Sequence, residues 1–337
     1  MQKFFRNFRH RIEYITARTI IYFLGRLPRK AVVALARFAG RSLWLIPSVR
    51  SIVASNLLVV FPEKDEKERS RIGRNSLVNS VYNVLEFFWI GGDPDRTRLC
   101  YGMPDDVIAK IKEHSDRGER LIFVNPHLGS WEASGTIAPF FGKVRMAAVA
   151  KPVKNPYLNK LLNQDGRGRV ENLEVIFSKG AVRAALTALK QGKSIGILID
   201  QNTRVRDGGE FVDFFGLPVP SSTAPAALKR YCDVHNVPAV IIYGSCPRLE
   251  DGRSVAHIEY LSKPFDQYAD DREVIQELMV KAEADIRRYP EQYLWFYKRF
   301  QYIYPDASEE VKKKYPAYAV EPGATFFNRA AGKNKGQ

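Results

Sequence analysis

The segment LIFVNPHLGSWE, residues 121–132, decides the fold of this chain. Its first four residues, Leu121 to Val124, form an apolar run that predicts a short buried strand. Residues 133–141 predict a helix, with Ser130 at the position of its cap. The strand therefore places His127 at its C-terminal end, and in open α/β sheets ligands bind at that edge.

His127 and Glu132 are the first candidate pair for catalysis. On one continuous helix, residues five apart do not face each other, so the pair meets only if His127 lies on the incoming turn and Glu132 in the first helical turn. Pro126 and Gly129 favour such a turn. A carboxylate beside an imidazole fixes its tautomer and stabilises its protonated form. The alternative is a strand-end histidine bonded to the backbone, with Glu132 as a solvated acid favoured by the helix dipole.

Strands and helices alternate through most of the remaining chain. This alternation predicts an α/β fold, a mainly parallel mixed sheet flanked by helices. We expect a basic, apolar N-terminal segment at 1–48, one main domain at 49–306 and a C-terminal tail at 307–337. The other strands are expected at 144–150, 173–177, 195–199, 237–243 and 255–261, and the other helices at 31–46, 51–90 with a turn at 61–63, 156–162, from Ser178 to before Gly192, 221–235 and 271–288.

The charge of the chain implies an anionic partner. Its net charge is +15 and its isoelectric point is near 9.6, which suits nucleic acid, an anionic lipid or an acidic carrier. The apolar segments at 15–24 and 31–46 are shorter than the about 20 residues of a spanning helix. In the second, Lys30, Arg37 and Arg41 fall in one stripe and leave a wide apolar face. This pattern is typical of a helix lying in a membrane interface. The alternative is a core helix with one solvent-exposed edge.

Several kinds of site have no support in the sequence. There is no phosphate-binding glycine motif and no His-Glu-x-x-His, and the five histidines are scattered, so we expect neither a nucleotide cofactor nor a metal. The three cysteines lack Cys-x-x-Cys spacing and are expected to be reduced, buried thiols. Ser130 lacks the second glycine of a nucleophile elbow and is expected to be a helix cap rather than a nucleophile.

A polar loop at 204–209 precedes the aromatic segment 210–216. One interpretation is a substrate loop, with Arg204 and Arg206 on phosphate and the aromatic side chains on lipid. The other is a β-hairpin that packs phenylalanines on one face. Lys151, Arg204 and Arg206 each follow a predicted strand or lie in its loop, so an alternating α/β fold would gather them at the sheet edge that carries His127.

Taken together, these segments resemble the late acyltransferases of lipid A biosynthesis, the lauroyl and myristoyl transferases of Gram-negative bacteria within the lysophospholipid acyltransferase superfamily. The resemblance covers roughly residues 31–302, and the order and spacing of its blocks are more specific than any single block. The matching blocks are Asn56-Leu57 with Phe61-Pro62, His127 to Glu132, Asn155-Pro156 with Leu158, Asp200-Gln201, Gly209, Phe211-Val212, Phe214-Phe215-Gly216 with Pro218, and Pro290-Glu291-Gln292 with Leu294-Trp295.

The resemblance implies transfer of an acyl chain, usually from acyl carrier protein, to a hydroxyl of a lipid acceptor at the cytoplasmic face of the inner membrane. It implies His127 as general base, Glu132 as its partner, and Asp200, Gln201 and Lys151 as substrate-binding residues. The family often has arginine where this chain has Lys151, and lysine contacts phosphate without the bidentate fork of arginine. Backbone N–H groups around Gly129 are the candidate donors to an oxyanion. CoA as the donor and an anionic membrane surface as a partner also fit.

Two other functions stay open at this point. An esterase or thioesterase would use the same pair with water as the nucleophile, and other glycolipids or phospholipids would serve the same transferase chemistry. A non-catalytic protein that binds nucleic acid or anionic membrane through its charge is the third class. Basic residues interleaved with aromatic residues on a stacking platform are missing, so we do not expect nucleic acid as a partner.

Overall fold

The main sheet has six strands and carries the candidate site. The computed structural model describes residues 2–177 and 181–328. The strand order is β10-β8-β2-β5-β3-β4, parallel throughout except for the antiparallel edge strand β10, which confirms the mainly parallel mixed sheet. The strands are β1 Tyr101–Gly102, β2 Arg120–Asn125, β3 Met146–Ala150, β4 Leu173–Phe177, β5 Ser194–Leu198, β6 Gly209–Phe214, β7 Leu217–Ser222, β8 Ala239–Ser245, β9 Ser254–Val255 and β10 His257–Tyr260.

The helices flank this sheet and extend from it at the N-terminal end of the chain. Most of the predicted helices are confirmed, with ends within a few residues of those expected. They are α1 Gln2–Leu24, α2 Arg29–Trp44, α3 Pro47–Val60, α4 Glu66–Ile90, α5 Pro94–Cys100, α6 Asp105–Asp116, α7 Trp131–Phe141, α8 Pro156–Asn163, α9 Ala181–Lys190, α10 Ala224–Val234, α11 Asp271–Arg288, α12 Glu309–Lys312 and α13 Ala324–Phe327.

Strand β2 is apolar because both of its faces are covered. Ile122 and Val124 belong to the main hydrophobic core, which also contains residues of α9, α10 and α11. Leu121 and Phe123 point to the other face, into a second cluster with residues of α6 and α7. Successive side chains on a strand point to opposite faces, so burial on both sides requires a continuous apolar run rather than an alternating one.

Helix α2 is fixed to α4 by a very close approach. A Cβ atom on Gly40 would lie 2.5 Å from the Cα of Val78, and one on Gly73 would lie 2.7 Å from the ring of Trp44. Only glycine permits this spacing of the two helices. The position of α2 is therefore set by backbone contact with the helix that packs behind the His127 turn.

The N-terminal helices expose several large apolar side chains. On α1 they include Phe8 and Ile15. Phe38 on α2 is 72% exposed, and Leu45, directly after α2, is 76% exposed. Within the described residues, no individual helix combines the length and the apolar composition that a membrane crossing requires. The pair α2 and α3 passes that test only jointly, and it is bent by 88°.

Three local predictions need correction, and a fourth lies outside the described residues. Residues 209–222 form the β-hairpin β6-β7, with Phe214 and Phe215 buried, so these two rings do not face lipid. The helix expected from Ser221 begins at Ala224, because strand β7 continues to Ser222. The Ser130 side chain makes no capping bond to the helix and donates instead to Asn83 Oδ1 at 3.0 Å. The proposed cap Ser178 lies outside the described residues.

The three cysteines are free and buried, as the sequence predicts. Burial raises the pKa of the Cys100 and Cys246 thiols to about 12, and it also raises the pKa of Cys232. A thiol that is both buried and protonated is a poor nucleophile. These side chains therefore serve as small apolar residues of the core.

Candidate active site

The turn that carries His127 is held by backbone hydrogen bonds to two other segments of the chain. Gly129 has φ +63°, and a Cβ there would lie 2.0 Å from the carbonyl oxygen of Cys246. The Gly129 N–H donates to Gln292 O at 3.0 Å, and the Ser130 N–H donates to Cys246 O at 2.9 Å. These two N–H groups are already bonded, so the expectation that they serve as oxyanion donors is wrong for the turn in this conformation.

Asp200 is the carboxylate that contacts the imidazole of His127. It follows β5, the direct neighbour of β2 in the sheet, so the two strand ends lie side by side. Asp200 Oδ1 lies 2.6 Å from His127 Nδ1, and Oδ2 accepts from the His127 backbone N–H at 2.9 Å. The sequence assigned Asp200 to substrate binding, whereas the structure places it behind the histidine.

This contact determines which ring nitrogen is available. A carboxylate at Nδ1 favours the tautomer whose proton is on Nδ1, and Nε2 then keeps its lone pair. The side-chain amide of Gln201 lies 3.3 Å from Nε2 and can donate to it. The His127 side chain is 12% exposed, against 2% for Asp200, so the ring presents one basic nitrogen toward solvent.

Asp200 stays ionised although it is fully buried. Burial by itself would raise its pKa, but the His127 ring, the bonds from His127 and the Arg299 guanidinium together hold that pKa below its ordinary value. A carboxylate with a lowered folded-state pKa contributes stability above its unfolded pKa of about 3.9, and that stability is lost as the pH falls through the folded value. Over most of the pH range the site therefore holds a fixed negative charge.

Glu132 lies in the first turn of α7, as predicted, but its carboxylate is bonded to Arg167. The contact is bidentate, with Nε 3.0 Å from Oε2 and Nη2 2.6 Å from Oε1. The third arm of the guanidinium donates from Nη1 to Asn163 Oδ1 at 2.5 Å. Both side chains are less than one-fifth exposed, so this is a largely buried, bidentate ion pair rather than a chance surface contact. The role of Glu132 as the partner of His127 stays a prediction.

The predicted phosphate-binding cations differ in their surroundings. Lys151 directly follows β3 at the same edge of the sheet as His127, and its side chain is exposed. Arg204 and Arg206 lie in the turn that leads into β6, and Arg204 Nε lies 2.7 Å from Asp207 Oδ2. Arg206 Nε is 3.9 Å from the same oxygen.

A mainly apolar cavity of about 280 Å³, with Asp165, Arg169 and Glu171 in its lining, adjoins α7. Thr136 and Phe140 line it, and they follow Glu132 at intervals of four, so all three share one face of the helix. Ile21 of α1 and Leu161 of α8 form part of the opposite wall. The cavity is near the lower end of the about 300–1,000 Å³ typical of small-molecule sites.

Sequence reasoning missed two residues that complete the site. Arg167 lies in Gly-Arg-Gly-Arg, an irregular segment whose composition suggests only a loop. Arg299 lies between Lys298 and Phe300, two residues after the aromatic segment 293–297, and it is 2% exposed. An arginine next to an aromatic run was the available signal, because a buried guanidinium needs partners.

An imidazole whose Nδ1 contacts a buried carboxylate at the C-terminal edge of a parallel sheet is a candidate general base, so fold and site together are those of an enzyme. A family model described as bacterial lipid A biosynthesis acyltransferase matches residues 1–302. The chain belongs to this family and is an acyltransferase, as the resemblance predicted. The family supports acyl transfer to lipid A.

Individual relatives are similar at low identity over most of the chain. The chain is 24% identical over 313 residues to lipid A biosynthesis palmitoleoyltransferase of Escherichia coli (strain K12), covering 89% of this chain and 95% of that protein. It is also 24% identical over 293 residues to lipid A biosynthesis lauroyltransferase of the same organism, covering 84% and 89%. For lipid A biosynthesis acyltransferase 2 of Shigella flexneri the identity is 24% over 272 residues, covering 78% and 80%.

Proposed function

We propose that the protein transfers a fatty acyl chain from a thioester, acyl carrier protein or CoA, to a hydroxyl of a lipid A precursor at the cytoplasmic face of the inner membrane. The observation that carries this proposal is the His127–Asp200 contact, which leaves Nε2 as the available base. Nε2 takes the proton of the acceptor hydroxyl as its oxygen attacks the thioester carbonyl carbon. The tetrahedral intermediate then expels the thiolate, which receives that proton from the imidazolium.

In this proposal the two acidic residues have different roles. Asp200 orients the ring and stabilises the imidazolium, because it is bonded to Nδ1. Glu132 acts through Arg167, because its carboxylate fixes the guanidinium, one helical turn before Thr136, which lines the cavity. The earlier prediction that Glu132 itself is the partner of His127 competes with this assignment, and mutation distinguishes them.

The apolar cavity supports an acyl donor. The face of α7 that carries Glu132 continues through Thr136 and Phe140 into the cavity, so an acyl chain lying there would direct its thioester end toward the first turn of the helix. The net charge of +15 favours an acidic carrier protein and an anionic membrane surface as partners. Lys151, Gln201, Arg204 and Arg206 stay proposed contacts to the substrates.

The experiment compares His127→Ala, Asp200→Asn and Glu132→Gln with an acyl-carrier-protein thioester and a lipid A precursor. We expect His127→Ala to lower kcat by about 10²–10⁴-fold, which is the usual contribution of a general base. Asp200→Asn should lower kcat more than Glu132→Gln. The matched control is His257→Ala, because His257 is 49% exposed and pairs with Glu259 away from the site.

The outcomes separate the alternatives. Near-normal turnover in His127→Ala would overturn the mechanism. A larger loss in Glu132→Gln than in Asp200→Asn would restore Glu132 as the partner. Mass spectrometry with and without the acceptor tests the hydrolase alternative, since an esterase or thioesterase would release free fatty acid at the same rate without acceptor.

A further inference from the structure

Arg299 is a buried cation with no carboxylate in direct contact. It is 2% exposed and among the largest fully buried side chains of the described residues. Its Nη1 donates to Asn202 Oδ1 at 2.8 Å and to Pro220 O at 3.0 Å, and Nη2 donates to the hydroxyl of Ser221. Its Nε has no partner within the described chain. All of these acceptors are neutral.

A buried charge is costly unless an opposite charge compensates for it. The compensating group is Asp200, which is 1% exposed and lies two residues before Asn202. The other ionisable groups that interact with Arg299 are the hydroxyls of Tyr293, Tyr297 and Tyr318, and burial raises the pKa of each. These hydroxyls are therefore neutral, and Asp200 is the anion that faces the guanidinium.

The same guanidinium fixes the backbone that carries Asp200. Its bond to Asn202 Oδ1 holds the side chain of that residue, while the Asn202 N–H donates to Tyr297 Oη at 2.9 Å. The Asn202 side-chain amide also donates to Lys298 O at 3.0 Å, so the segment from Asp200 to Asn202 is attached to residues 297–299 at three points. A one-ångström error in the orienting group is enough to misplace a general base.

We propose that Arg299 is a positioning residue for His127: its buried guanidinium fixes the Asp200–Asn202 segment and provides the counter-charge for the Asp200 carboxylate. The inference rests on the proposed role of His127 as general base. Arg299 makes no bond to the imidazole and acts on it through Asp200 and Asn202. Charge and anchoring are both required, so a neutral replacement should change how the site responds to pH as well as its rate.

The direction of the pH effect follows from the charges around Asp200. Burial raises the pKa of the Asp200 carboxyl, and the Arg299 guanidinium is one of the groups that lower it. Removing that positive charge therefore makes Asp200 easier to protonate. This change moves the acid limb of kcat/KM to higher pH, because the proposed mechanism needs an ionised carboxylate at Nδ1.

The first measurement is the pH profile of kcat/KM for Arg299→Gln and Arg299→Lys. We expect Arg299→Gln to move the acid limb of kcat/KM to higher pH by about one unit, which lowers kcat/KM about tenfold on the acid side. Arg299→Lys should have the same acid limb as the wild type. The matched control is Arg96→Gln, because Arg96 is also bonded to neutral carbonyl oxygens, of Trp89 and Gly25, but lies away from His127. An unmoved limb in folded Arg299→Gln would overturn the proposal.

The second measurement is the urea unfolding midpoint of Asp200→Asn against His127→Ala. Asp200→Asn removes the carboxylate charge and leaves Arg299 without a counter-charge, whereas His127→Ala removes the imidazole and leaves the Asp200 carboxylate in place. We expect Asp200→Asn to unfold at a clearly lower urea concentration, and equal midpoints would overturn the proposal even if Arg299→Gln does not fold. This result does not depend on activity, so it is separable from a failure of the proposed function, which would appear as full turnover in His127→Ala.

Discussion

Lys151 and Arg204 were predicted to bind phosphate, and they differ in whether their side chains already have an ion-pair partner. Arg204 already has Asp207 as a partner, while no hydrogen bond or ion pair joins Lys151 to the described residues. A charge-assisted contact to phosphate contributes about 1.5–3 kcal/mol. We therefore expect Lys151→Ala to raise the KM of one substrate by about tenfold or more.

Steady-state kinetics with donor and acceptor varied separately measure this effect. Lys151→Arg should keep most of the activity, since the guanidinium also binds phosphate. Arg204→Ala is the comparison, and it should raise KM less than Lys151→Ala does, because Arg204 already has Asp207 as an ion-pair partner. Unchanged KM values in Lys151→Ala would remove this residue from the site.

At the residue scale, sequence spacing located the histidine but not its partner. His-x4-Glu occurs twice in this chain, at His127 with Glu132 and at His114 with Glu119. The spacing produces a contact at the second pair, where His114 Nδ1 lies 2.6 Å from Glu119 Oε2 across the turn after α6. At the first pair, a residue 73 positions away reaches Nδ1 instead. Only the pairing of β2 with β5 brings Asp200 there, and local sequence does not encode which strands are neighbours.

At the element scale, helix α7 links the reacting groups to the apolar cavity. Thr136 is 7% exposed, lines the cavity, and lies one turn after Glu132. We expect Thr136→Phe to fill part of the 280 Å³ and to shift donor preference toward shorter acyl chains. The kcat/KM for the longest good donor should fall by about tenfold, since one methylene in an apolar pocket changes rates about 10–200-fold.

A series of acyl donors of increasing length measures the shift. Thr187→Phe is the surface control, because Thr187 is exposed on α9, and its chain-length profile should match the wild type. An unchanged profile in folded Thr136→Phe would show that the acyl chain lies elsewhere. Uniform loss with all donors, together with a lowered unfolding midpoint, would show overpacking of the core instead.

Sequence patterns located most of the regular elements because each has a strong local signal. The buried strands are short apolar runs, and α11 has both its predicted ends, Asp271 and Arg288. The helix predicted from Ser221 begins only at Ala224, and this error has a physical cause. Pro218 and Pro220 lie in the preceding strand β7, and prolines normally argue against a strand. They fit here because the hairpin β6-β7 is a separate two-stranded sheet whose strands each have a free edge.

At the scale of the whole molecule, charge and exposed apolar side chains predict membrane binding through the N-terminal helices. Phe38 on α2 and Leu45 directly after α2 are the most exposed large apolar residues within residues 5–60. Burying a large apolar side chain contributes about 1.5–3 kcal/mol. We expect Phe38→Ser with Leu45→Ser to lower sedimentation with anionic vesicles by about tenfold or more, without changing the unfolding midpoint.

Val234→Ser is the matched control, because Val234 is 73% exposed on α10, outside the N-terminal helices. High salt should release the wild-type protein only in part, since apolar burial adds to charge attraction. Complete release by salt would show that the attachment is electrostatic alone. Point variants are preferable to deletion of residues 1–48, because removing α2 would expose the face of α4 against which Gly40 packs.

The three buried thiols give this protein built-in chemical reporters. A thiol that is inaccessible and protonated reacts with an alkylating reagent only while its surroundings are open, so its labelling rate measures the frequency of opening. Cys246 accepts the backbone bond of the His127 turn, Cys100 lies in the cluster beneath α2 and α4, and Cys232 lies in the main core. Mass spectrometry of the labelled chain would thus measure separate opening rates for the His127 turn, the N-terminal helices and the central core, without any introduced probe.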